Sequence, residues 1–87
     1  MVDRETEVIV ELEEEFSSFL GGNFEWIKNG YTRLLSETAH LNPDNQQHYV
    51  MKFLSTLLDQ EFVKDRDIPR FVKVRWVETM FKRLENL

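Results

Sequence analysis

Apolar residues along this chain recur at intervals of three and four, the period of one helix face, and four segments carry the pattern. In the first, Val8, Leu12, Phe16, Phe19 and Leu20 share a face, and Gly21-Gly22 predicts a stop. Val8-Ile9-Val10 alone could be a strand, but the flanking glutamates disfavour one. Asn23 predicts the N-cap of a second helix in which Phe24, Ile27, Tyr31, Leu34, Thr38 and Leu41 repeat. Gly30 inside it marks a close helix approach or a flexible point. Asn42-Pro43 ends that helix and starts a third, because the residue before proline avoids helical angles while proline suits the first helical position.

The third segment, from Pro43 to about Val63, carries a stripe of Val50, Met51, Phe53, Leu54, Leu57, Leu58 and Phe62, wide enough to need neighbours on two sides. Lys64 to Asp67 reads as a charged loop. Pro69 then opens a fourth helix with Val74, Val77, Phe81 and Leu84 on one face and Val72, Trp76 and Met80 alongside. The pattern predicts an all-α protein, a compact antiparallel bundle of about four helices forming a single domain over residues 1–87.

Composition supports a packed core: 41% of residues are hydrophobic, with seven Phe and two Trp, which argues against disorder. The absence of cysteine excludes disulfides, thiolate zinc sites and cysteine nucleophiles, in keeping with a cytoplasmic location. No signal peptide and no apolar run of about 20 residues occurs, so a soluble protein is expected. His40, Asp44 and His48 lack the HExxH spacing that places metal ligands on one face, and read as polar residues flanking a helix turn. Ser17, Ser18, Ser36 and Ser55 have no nucleophile-elbow context, and no glycine-rich phosphate loop exists. The expectation is therefore not an enzyme, with no catalytic residues, metal, cofactor or small-molecule substrate.

Charge redirects attention to surfaces. Residues 1–22 carry seven acidic groups against one basic, while from Lys64 to Arg83 seven basic residues face only Asp65, Asp67 and Glu78. Glu7, Glu11, Glu14 and Glu15 form an acidic ridge on the flank of the first helix, and its like-charge i,i+4 pairs weaken an isolated helix. The ridge is either a solvated face or an edge that docks against a basic surface, in this chain's own C-terminal half or in a neighbouring subunit. In the last helix Arg75, Glu78, Lys82 and Glu85 share an outward arc and can neutralise each other. The uncompensated positive charge then lies in Lys64, Arg66, Arg70 and Lys73, at a helix entrance suited to phosphate contact, although Asp65 and Asp67 reduce that field and can cap the helix. Trp26, with Arg33 and His40 at i+7 and i+14, gives a line of aromatic, cation and imidazole of the kind enriched in protein interfaces and base stacking. Trp76 is expected in the core.

The stretch RLLSETAHLNPDNQQHYVMKFLSTLLDQEF followed by IPRFVKVRWVETMFKRL resembles the small subunit of type I CRISPR effector complexes (Cascade), over most of residues 23–87. The resemblance implies a cytoplasmic, non-enzymatic subunit, present in several copies along a crRNA-bound backbone and helping to hold target and displaced DNA strands. It transfers a possible backbone-contact role to Arg33, Lys52, Lys64, Arg66, Arg70 and Lys73. The acidic first helix departs from a DNA-lining subunit and fits a protein contact better. The alternative expectation is a small acidic adaptor or regulator that binds a protein through the glutamate ridge.

Overall fold

Local chemistry sets one helix boundary plainly. Asn42 takes extended angles (φ −68°, ψ 159°), its Oδ1 accepts the Asn45 N–H at 2.9 Å, and Pro43 occupies the first helical turn. The computed structural model describes residues 4–87, with side chains from Val8 onward. It contains α1 (Arg4–Glu37), α2 (Pro43–Leu58) and α3 (Arg70–Glu85), with one π-helical turn, Asp59–Val63, continuing α2. The described residues are all-α, with three α-helices where about four were expected. None of these helices is long and apolar enough to cross a membrane.

The missing boundary is Gly21-Gly22, which α1 passes through unbroken. A glycine that ends a helix does so by adopting positive φ, and no glycine among the described residues does. The apolar stripe also stays in phase across the pair: Phe16, Leu20 and Ile27 are buried, and Phe24, Tyr31 and Leu34 pack against the core. Burying a continuous stripe outweighs the ~1 kcal/mol of helix propensity lost at each glycine. Asn23 is accordingly a mid-helix residue and not an N-cap; its Nδ2 donates to the Phe19 carbonyl at 2.8 Å. At 34 residues α1 should be about 51 Å long, close to the 53 Å long axis of the molecule.

Contacts along α1 define the topology. Gln46 Nε2 donates to the Leu35 carbonyl at 3.2 Å, Phe53 lies over Gly30, and Phe62 meets Phe19 with ring centroids 5.1 Å apart, so α2 runs antiparallel to α1. The chain then turns back. Trp76 stacks on Phe16 with centroids 4.8 Å apart, and the Arg83 guanidinium sits 4.3 Å from the Phe24 ring centroid. Burial, together with the nearby Glu85 carboxylate, holds the Tyr31 phenol above its ordinary pKa of 10.0. These contacts run in the same order on both helices, so α3 is parallel to α1 and the arrangement is up, down, up.

The π turn has a sequence cause. A continued α-helix would place Glu61 near the direction of Leu54 and Leu58; the wider turn, closed by Lys64 N–H on the Asp59 carbonyl at 2.9 Å, leaves Glu61 exposed and buries Phe62 and Val63. Lys64 follows at φ 45°, a strained angle for a residue with a side chain. Two further expectations change. Val8 and Val74, both assigned to apolar faces, are about half exposed and are not among the described residues packed against the core.

An added Cβ would meet nothing within 4 Å at Gly21 or Gly22, but would lie 2.8 Å from Phe53 Cζ at Gly30. Gly21→Ala and Gly22→Ala should each raise the unfolding free energy by up to ~1 kcal/mol. Gly30→Ala should be less stable than either, because Phe53 must shift. Urea unfolding followed by circular dichroism checks the order; loss of stability at Gly21 or Gly22 would contradict the unbroken helix.

Candidate nucleic-acid and protein contact surfaces

The acidic flank of α1 meets the basic half of the chain within one molecule. Glu13 accepts the Trp76 indole N–H at 3.0 Å on one carboxylate oxygen and pairs with Arg75 on the other. One half-turn on, Glu15 pairs with Arg66, whose guanidinium also lies 4.8 Å from the centroid of the Phe62 ring. Of the two docking targets open to the ridge, the chain's own C-terminal half therefore takes Glu15. Glu11 and Glu14 are exposed without an ion pair among the described residues, and the Glu7 side chain lies outside the described residues. Arg75 was expected on an arc with Glu78, Lys82 and Glu85; it turns instead towards α1, where Glu13 already stands fixed by the indole.

The basic corner is divided by the same geometry. Arg66 is held against α1, while Lys73 reaches across to Asp59 at 3.3 Å. Lys64 and Arg70 are exposed and form no ion pair among the described residues. Neither Asp65 nor Asp67 caps α3: its N-cap is Pro69, which has no side-chain cap hydrogen bond. The entrance from Lys64 to Lys73 thus presents two unpaired cations pointing from different elements where four were expected together.

A different surface gathers the remaining candidates. On the side where α1 and α2 lie against each other, Trp26, Tyr49, Lys52, Phe53 and Leu57 line a groove of about 460 Å³, and Trp26, Gly30 and Arg33 line its continuation. Gly30 makes this groove, because only a residue without Cβ lets Phe53 settle on α1. Trp26 is 53% exposed and Tyr49 50%, so both aromatic residues are about half open to solvent. Arg33 is bonded at 3.2 Å to Glu37, but this pair is solvent-exposed and contributes little. His40 lies in the turn beyond α1 and does not join Trp26 and Arg33.

No known protein family, curated protein or solved structure matches this chain. The surfaces are therefore read from their own chemistry. His40 and His48 are exposed, and among the described residues no three His, Asp or Glu side chains converge as a metal site.

Sequence reasoning missed Glu13 and Tyr49. Glu13 precedes Phe16 by three, which puts it at the edge of the buried face; Tyr49 precedes Lys52 by three, which puts an aromatic and a cation on one side of α2.

Trp76 is 1% exposed, so removing the acceptor strands its indole N–H. Glu13→Ala should lower stability by about 1–3 kcal/mol, and Glu13→Gln by less, since an amide oxygen still accepts. Chemical denaturation of both variants checks this; equal losses would show that the Arg75 ion pair, and not the indole bond, carries the effect.

Proposed function

We propose that this chain is a non-enzymatic helical subunit of a Cascade-type CRISPR ribonucleoprotein, which contacts nucleic acid and neighbouring subunits to stabilise crRNA-guided binding of target DNA. The observation that carries this reading is the α1–α2 groove, where two half-exposed aromatic rings stand beside Lys52 and Arg33. Unpaired bases stack on exposed aromatic faces whatever their identity, and a few adjacent cations meet the phosphates. In a chain of net charge −5 such a site binds strand without reading sequence. The exposed Lys64 and Arg70, at the entrance to α3, offer further backbone contact. A cytoplasmic protein with no cofactor and no small-molecule substrate fits this role.

A second reading draws on the exposed Glu11 and Glu14, whose carboxylates suit a basic protein partner. In that case the chain is a small acidic adaptor, and reversing these two residues abolishes partner capture while the groove variants behave as the parent.

Fluorescence anisotropy with labelled single-stranded DNA separates the two. Under the leading reading Trp26→Ala weakens binding about five- to a hundredfold, as expected for one lost stacked base. Reversing Arg33 and Lys52 to glutamate flattens the salt dependence. Unchanged binding in both variants would sink the groove assignment. Isolation of the tagged chain from its native cells, followed by sequencing of copurified RNA, tests the ribonucleoprotein itself; guide RNA is the expected cargo.

A further inference from the structure

A different face of α2 borders a second groove, of about 420 Å³, between α2 and α3. Its floor is apolar: Met51 and Leu58 from α2, Ile68 from the segment before α3, and Val74 and Val77 from α3. Leu58, Ile68 and Val77 are also members of the buried core, so packing beneath the floor holds it in shape, while Val74 is 49% exposed. An apolar cleft of this size with a few charged groups at its edge is the usual form of a small-ligand site.

The charges at the edge name the ligand. Asp59, Arg70, Lys73 and Glu78 border the groove. Lys73 donates to Asp59 at 3.3 Å, so these two offset each other. Arg70 and Glu78 form no ion pair among the described residues. Both lie on α3, four residues before and four after Val74. At 1.5 Å per residue they stand about 12 Å apart along the helix. The groove is therefore positive at the entrance to α3, negative two turns further on, and apolar between.

We propose that this groove binds a medium-chain fatty carboxylate, with its head group on Arg70 and its chain laid over Val74 and Val77 towards Glu78. A guanidinium offers a carboxylate two parallel N–H donors. The apolar floor supplies most of the affinity, because an ion pair at so exposed a position contributes little, and Arg70 sets the direction in which the chain lies. Glu78 selects at the far end: it repels a second carboxylate and tolerates an uncharged chain end. The span from Arg70 to Glu78 suits a chain of the length of decanoate. This site shares no lining residue with the α1–α2 groove, and the proposal does not rest on the nucleic-acid reading.

Methyl NMR of the full chain, titrated with decanoate below its micelle concentration, tests the site. The Ile68, Val74 and Val77 methyls should shift and saturate, while those of Leu34 and Leu57 in the other groove stay in place. Octanoate should bind roughly tenfold more weakly, since two fewer methylenes are buried. Decanedioate should bind roughly tenfold or more weakly than decanoate, and Glu78→Arg should close most of that gap. Arg70→Gln should weaken decanoate about threefold. Val74→Asp, at a half-exposed position and shown to be folded by circular dichroism, should abolish binding. Methyls that never saturate overturn the proposal, as does equal binding of decanoate and decanedioate, or a preference for decylammonium. Shifts of the same methyls on concentrating the chain alone would give the face to a second copy, and shifts only with phosphatidylglycerol vesicles would give it to a membrane surface; either result overturns the proposal too.

Discussion

The Glu13 carboxylate on the indole N–H of Trp76 joins the two helices that are most distant in sequence, and the rest of the molecule is arranged around that junction. Phe16 stacks on the same indole, and Phe62 from the π turn meets both rings edge-on, so three elements converge on one aromatic cluster. A buried indole N–H demands an acceptor, and the carboxylate that supplies it lies close enough to the surface to pair with Arg75 as well. Burial of the rings supplies most of the stabilisation, while the polar contact fixes which face of α3 turns inward.

This junction also decides which charges remain for function. The acidic flank of α1 and the basic half of the chain are complementary, and folding brings them together: Glu13 takes Arg75 and Glu15 takes Arg66. Exposed ion pairs contribute little stability each, yet they remove those cations from any phosphate surface. What stays unpaired among the described residues is Lys52 beside Trp26 and Tyr49, together with the outward Lys64 and Arg70, while Arg33 is held only by the open i,i+4 pair with Glu37.

Much of this was legible in the pattern of residues, and the exceptions have physical reasons. The Asn42-Pro43 boundary, the loop after Lys64, the α3 helix and the burial of Trp76 all follow from local rules of capping and period. Gly21-Gly22 misled because a glycine pair is only a local preference, whereas the in-phase stripe from Phe16 through Ile27 is a tertiary demand that α2 and α3 satisfy. The π turn was hidden since it answers a conflict, Glu61 falling on an apolar stripe, that period alone leaves open. The basic corner looked uniform in one dimension. Only the fold shows that Arg66 and Lys73 turn to different partners.

Folding encloses Trp76 in the junction and leaves Trp26 half exposed beside the α1–α2 groove. The most direct measurement is nitrogen–proton correlation NMR of the two indole N–H groups during titration with single-stranded DNA. If the groove takes up strand as proposed, the Trp26 signal moves or broadens as DNA is added while the Trp76 signal, buried and bonded to Glu13, stays in place. A shift of Trp76 with Trp26 unmoved would contradict it.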